Sequence, residues 1–310
     1  MPDAIRIVVA FPLPFYTPVW VARRMGALET EGLTATILVP TPGQTVDLIQ
    51  RGEADVALSG VMRSFVLADR GGPRLTAIAE VNSRDGFLLL SRNPAETFTW
   101  RDLERGRLIL FGEAPTPWMC LQAVLRRQGV DPGRLSLIRD LSVADATRAF
   151  LAGDGDYLET PQPNGEELLA AGKAHLAAAM ADPVGHVPYS SLVVTPEFRR
   201  TRSDVCARVV RALARTQRWM SRERPETIAD LIAPDFPRVT PEILRRVIAR
   251  FHAAGTWPVD PRQERAPFER LGQMLVDGGL TRRAAPYEDL VDDSFAEAAA
   301  REVAGAVDPR

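Results

Sequence analysis

Unbroken apolar runs alternate with stretches of helical spacing as far as Thr195, and beyond that point helical spacing continues alone. The first run, Ile7 to Phe11, has no polar alternation, as expected of a strand buried on both faces of a parallel sheet. The turn Pro12 to Pro18 follows, and Pro18 suits the first position of a helix that Thr17 would cap. Val19, Ala22 and Met25 recur at helical spacing, Gly26 stops the helix, and Leu33 to Val39 reads as the next strand. After a turn at Thr41-Pro42-Gly43, Gln44 to Gln50 reads as a short helix, Val56 to Leu58 as a strand and Val61 to Asp69 as a helix. Leu75 to Val81 and Phe87 to Leu90 are two further apolar runs.

The pattern then restarts. Leu108 to Phe111 predicts a strand, Gly112 to Pro117 a turn, Trp118 to Gln128 a helix, and Leu135 to Ile138 a strand. Ser142 would cap a helix over Val143 to Leu151. Two short stretches resemble each other: Gly52-Glu53-Ala54-Asp55-Val56 and Gly153-Asp154-Gly155-Asp156-Tyr157. Each follows a helix end and leads into an apolar run, as two similarly built lobes would require. Ser190 to Thr195 predicts the last strand. From Pro196 the stripes at Asp204–Met220, Pro225–Ile232, Pro241–Ala254, Pro267–Gly278 and Tyr287–Val303 all predict helices. The fold class is therefore α/β with a C-terminal helical tail. The expected division is residues 1–92 plus 190–310 in lobe one and 93–189 in lobe two.

Composition narrows the function. A chain of 310 residues, 45% hydrophobic and 25% charged, with a net charge of −2, is ordinary for a globular protein and has no basic field for nucleic acid. No stretch approaches the ~20 apolar residues of a membrane helix, so no membrane insertion is expected. Lys173 is the only lysine, and Cys120 and Cys206 form no CxxC pair. The three histidines have no metal-ligand spacing, and neither a phosphate loop nor an HExxH motif is present. Neither a catalytic group nor a cofactor or metal follows from the residues, and the chain is read as a non-enzyme. Acidic pairs such as Glu166-Glu167 and Asp292-Asp293 read as solvated helix faces.

Several stretches resemble one family. They are Pro14-Phe15-Tyr16-Thr17-Pro18 with Glu31-Gly32-Leu33, the segment Gln44 to Gly60, and Gly278-Gly279-Leu280 followed by Tyr287 to Asp292 and Phe295. These are similar to the NMT1/THI5-like and sulfonate/nitrate (SsuA-like) substrate-binding proteins. The resemblance implies a two-lobed periplasmic-binding-protein type II-like fold, hinged over a cleft. It also implies a monomer that carries a small organic ligand to an ABC permease. The ligand could be a pyrimidine thiamine precursor, an aromatic acid or a sulfonate. The alternative is a cytoplasmic enzyme of the same fold. Hydroxymethylpyrimidine synthase-like relatives use a cysteine-rich iron site and a pyridoxal-phosphate lysine, and desulfinase-like ones a cysteine in the turn after the first strand; here that turn holds Phe11, Pro12 and Leu13. A start at Met1 would place the protein in the cytoplasm, and an export signal upstream of it would place it in the periplasm.

In such a fold the ligand meets strand ends and helix starts from both lobes. Lobe one would offer Phe15, Tyr16 and Thr17, then Ser59, Gly60 and Met62. Ser59 serves equally as a helix cap or as part of a helix N-terminus that receives an anionic or carbonyl group. Lobe two would offer Thr116, Trp118 and Glu159, the last as an acceptor for an amino group. Tyr189 falls near the second crossing between lobes.

Overall fold

The structure is a computed structural model that describes residues 2–9, 11–40, 44–94 and 97–305. The turn expected at Thr41-Pro42-Gly43 lies outside the described residues. Ten strands form two five-stranded sheets. They are β1 (Asp3–Val9), β2 (Leu33–Leu38), β3 (Val56–Gly60), β4 (Thr76–Asn82), β5 (Leu88–Ser91), β6 (Arg107–Phe111), β7 (Ser136–Leu141), β8 (Tyr157–Thr160), β9 (His175–Ala179) and β10 (Ser190–Val194). The first sheet runs β2-β1-β3-β10-β4 and the second β7-β6-β8-β5-β9.

The two orders match position for position. In each, three parallel strands are followed by one antiparallel strand contributed by the other half of the chain. β10 runs antiparallel between β3 and β4, and β5 runs antiparallel between β8 and β9. The run Phe87 to Leu90, grouped by sequence with the first lobe, thus pairs in the second sheet. A fully apolar strand has no face preference to tie it to either neighbour, so its partners are set by which sheet has a vacant slot.

The repeated Gly-x-x-Asp stretches have a shared structural job. Asp55 precedes β3 and Asp156 precedes β8, the third strands of their sheets. The Asp55 carboxylate accepts the Arg6 backbone N–H at 2.7 Å, and the Asp55 N–H donates to the Arg6 carbonyl at 2.9 Å. Asp156 does the same with Arg107, at 2.8 Å in both directions. Each aspartate pins the entry of a strand beside its neighbour.

Packing follows the apolar pattern. Val8, Val9, Val56 and Leu58 are buried in the first sheet, and Leu88, Leu90, Leu108 and Ile109 in the second. The tail helices Pro241–Ala253 and Arg265–Asp277 begin at or near prolines, as expected. Among the described residues no strand follows β10 and no helix is long and apolar enough to cross a membrane. The last stripe is not one helix. It breaks after Tyr287–Leu290, where Val291 bridges Ala77 in β4, and resumes at Ser294–Gly305. Asp292 causes the break: its carboxylate accepts from the Ser294 N–H at 3.2 Å and pairs with Arg199 at 2.6 Å. Asp293 accepts the Gln263 N–H at 2.9 Å, so this acidic pair is structural and not a solvated face.

Candidate functional site

The carboxyl ends of β1, β3, β6, β7 and β8 converge on a cavity of about 220 Å³. This is where open α/β sheets place ligands. Phe11, Leu13, Phe15 and Tyr16 come from the turn after β1, and Gly60, Met62 and Arg63 from the start of the helix after β3. Across from them stand Phe111, Glu113, Pro115 and Thr116 after β6, Val143 after β7, and Pro161 to Asn164 after β8. Phe87 and Tyr189 close the side where the chain passes between sheets. A larger recess of about 740 Å³ lies between the helices Ser203–Met220 and Ser294–Gly305. It meets no strand end and presents arginines and acids to solvent.

The aromatic wall is locked from behind. The Phe15 ring meets Tyr16 and Tyr189 at 5.5 Å and Phe251 at 5.6 Å, and Phe87 stacks on Phe111 at 5.4 Å with an 11° tilt. The Phe15 carbonyl accepts from Asn82 Nδ2 at 2.7 Å and from Trp257 Nε1 at 2.9 Å. Trp257 therefore supports the site from outside. Burial raises the phenol pKa of both Tyr16 and Tyr189 above the ordinary value, so both stay neutral hydroxyls.

Phe15, Tyr16, Gly60, Met62, Thr116 and Tyr189 are brought together around this cavity; the other expected site residues are not. Thr17 is fully buried and donates its hydroxyl to the Pro14 carbonyl at 2.6 Å. It lies inside the helix that it was expected to cap, and Tyr16 takes the cap position without a side-chain bond. Ser59 sits within β3, its buried hydroxyl without a hydrogen-bond partner, while Gly60 holds the cap position of the helix Val61–Asp69. Trp118 faces a separate recess with Arg139, whose guanidinium lies 5.6 Å from its ring centroid, and with Gly278 and Gly279. Two residues along the helix Thr116–Arg127, about 200° of rotation, separate it from Thr116.

Glu159 is buried behind the lining and not on it. Asp85, overlooked in the sequence, is buried with it. Burial pushes the Asp85 pKa to about 7 against the pull of the Phe87 N–H, which donates to its carboxyl at 2.8 Å. Burial also raises Glu159 well above the ordinary carboxylate range, and Asp85 adds to the rise. Gln162 also escaped notice. Its Oε1 accepts the Glu166 N–H at 3.0 Å, while its Nε2 has no partner. Arg63 was within reach of sequence reasoning, since it adjoins Met62 on the first turn of its helix.

A family model described as NMT1/THI5 like matches residues 14–228. The chain belongs to that family. Among curated proteins, this NMT1/THI5-like chain is 24% identical over 286 residues to the "Putative binding protein YtlA" of Bacillus subtilis, covering 91% of this chain and 86% of that one. Among solved structures it resembles the periplasmic aliphatic sulphonate binding protein SsuA of Escherichia coli. The TM-score is 0.76 at 14% identity, covering 93% of this chain and 97% of the other. It also resembles the desulfurization enzyme DSZB, with a TM-score of 0.70 at 16% identity over 97% and 99% of the two chains. The NMT1/THI5-like chain thus has the two-lobed periplasmic-binding-protein type II fold, with paired sheets and a helical tail. A fold shared by a binding protein and an enzyme does not choose between them.

Proposed function

We propose that this chain is the solute-binding component of an ABC importer, closing as a monomer on a small organic ligand and delivering it to a permease. The observation that carries the reading is the aromatic-walled cavity of about 220 Å³ at the strand ends of both sheets. Drug-sized ligand sites span roughly 300–1,000 Å³, so a smaller cavity suits a compact solute. The walls suit a flat ring: stacking on Phe15, Phe87 or Phe111 would add ~0.5–1.5 kcal/mol beyond area burial. The candidates are a pyrimidine thiamine precursor, an aromatic acid and a sulfonate. Lobe one would be built on the β1–β10 sheet with the tail, and lobe two on the β5–β9 sheet. The chain would hinge at the passages through Asp85-Gly86-Phe87 and Val187-Pro188-Tyr189.

The binding role has support beyond the fold. YtlA is named a binding protein, and SsuA binds sulphonates. The cavity is lined by apolar side chains, amides and hydroxyls together with Arg63 and Glu113, groups that can hold a guest. A thermal-shift screen with pyrimidines, aromatic acids and alkyl or aryl sulfonates tests the proposal. A ligand at 100 times its dissociation constant adds ~2.7 kcal/mol of stability. Met62→Trp, which fills the cavity, should abolish the response. A screen in which no class shifts the melting point, or in which Met62→Trp responds like the parent, sinks the reading.

A further inference from the structure

Asp85 and Glu159 are each 1% exposed, and neither has a cationic partner among the described residues. Asp85 uses one oxygen to accept the Phe87 N–H and leaves Oδ2 without a partner. Glu159 leaves Oε1 without one. Chain geometry keeps both beside the cavity floor. Asp85 lies two residues before Phe87, and Glu159 lies three before Gln162; Phe87 and Gln162 both line the cavity. Two lining residues also carry buried polar atoms without a well-aligned partner, Gln162 Nε2 and the Tyr189 hydroxyl, the latter turned towards Asp85, whose carboxyl it helps to hold down. Buried polar atoms are normally hydrogen-bonded, and such atoms beside a cavity mark a place that a guest can complete.

We propose that Asp85 and Glu159 set the charge of the solute, so that the end buried against Tyr189 and Gln162 is cationic or uncharged and never anionic. The inference rests on the cavity being the ligand site, as proposed above. Two carboxyls side by side in a dry environment cannot both ionise, so the pair retains a proton. A cationic head against this wall lets both ionise. An uncharged head can accept from Gln162 Nε2 and Tyr189 at little electrostatic cost. An anion in the same place forces both carboxyls to hold protons. Arg63 does not reverse this preference. It is partly exposed on the β3 side of the cavity, and the exposed Glu113 lines the facing side.

The preference has a pH signature. The other titratable or charged groups acting on the pair and its neighbours are Tyr189 and Cys120, with Tyr16, Arg63 and Arg127 beyond them. Burial raises both Tyr189 and Cys120, so they stay neutral while the carboxyls titrate. Raising the pH through the Asp85 transition near 7 should strengthen binding of a cation and weaken binding of an anion.

Three probes on one ring test the proposal by calorimetry at about pH 8: benzamidine, benzamide and benzoate. Benzoate should bind weakest, by at least roughly tenfold, which corresponds to about 1.4 kcal/mol. In the double variant Asp85→Asn with Glu159→Gln, the three should fall within about threefold of one another. Benzoate equal to or tighter than benzamide in the parent overturns the proposal, with no variant needed. A folded double variant that keeps the parent ranking also overturns it. A parent that binds benzoate or a sulfonate best leaves the cavity reading standing and removes only the charge rule. Failure of all three probes at about 10 mM, far above the dissociation constants such sites show, removes both.

Discussion

Gly86 is where the fold and the candidate site press hardest on each other. It lies on the first passage between sheets, and a Cβ placed there would come within 2.5 Å of Phe15 Cδ2 and Cε2 and 3.0 Å of Phe251 Cε1. Carbon atoms pack best at about 3.5–4.0 Å, so Gly86→Ala must drive the Phe15 ring back by about 1 Å. The ring has little room to retreat. Tyr16, Tyr189 and Phe251 surround it, and two hydrogen bonds to its carbonyl fix the backbone. The open side is the cavity, so the methyl group should push the aromatic wall into the ligand's space. Overpacking of this kind costs about 1–3 kcal/mol.

Two measurements separate the consequences. Urea unfolding reads the stability loss, and ligand-induced stabilisation in the thermal-shift assay reads the narrowed cavity. Gly278→Ala is the control. Its Cβ would approach Met119 Sδ at 2.3 Å, closer than any contact at Gly86. That sulfur is near the end of a flexible side chain, which can rotate away, so the cost should stay below about 1 kcal/mol. The reasoning is refuted if Gly86→Ala unfolds like the parent and keeps its ligand response, or if Gly278→Ala proves the more damaging.

Other expectations are as direct. Arg250→Met should lower stability by about 1–3 kcal/mol in denaturant titration, because Glu166, with a side chain only 4% exposed, would lose its ion-pair partner at 2.5 Å; adding Glu166→Gln should recover part of the loss. Asp156→Asn should cost about 1–3 kcal/mol by weakening the charged acceptor for the Arg107 N–H, and Asp55→Asn should cost at least as much because Asp55 also pairs with Arg6 at 2.9 Å. The Asp85 pKa is raised from 3.8 to about 7 in the folded chain, so the native state binds the proton more tightly than the unfolded one. Stability should therefore be highest below the unfolded pKa, fall as pH rises towards 7 and level off above it; Asp85→Asn should flatten that stretch of a stability-versus-pH profile. Cys120 and Cys206 are fully buried, with Cys206 pushed up to about 12, and iodoacetamide with mass spectrometry should find both unlabelled in the native chain.

The parts of this structure legible in the sequence are those encoded locally. The turn expected from Pro12 is encoded by its prolines, which fix their own φ, although it passes into helix at Thr17, one residue before Pro18. The Gly-x-x-Asp stretches signal strand entries because the aspartate finds its partner on the adjacent strand. What failed were the directions of single side chains. Ser59 and Glu159 both sit near the end of a strand, where moving by one residue turns a side chain to the opposite face. Trp118 is two residues from Thr116, a separation that places them on different helix faces. His186 belongs to the loop before β10, yet its Nε2 lies 3.1 Å from the buried Glu80 carboxylate. No local pattern announces such a partner 106 positions away.

The same physics bears on the enzyme relatives. DSZB shares the fold, so chemistry on this scaffold must be judged from the groups at the cavity and not from topology. A cysteine nucleophile needs a thiolate, which positive charge or a helix N-terminus favours. Cys120 has the reverse setting: burial raises its pKa, and Asp85 and Glu159 raise it further. The turn after β1 offers Phe11 and Leu13 to the cavity, both hydrocarbon. The two acids have the arrangement of a charge sensor. They are buried and absent from the cavity lining, a position from which they act on a guest through its charge. A site arranged this way would discriminate among guests by their charge, as the proposed binding role requires.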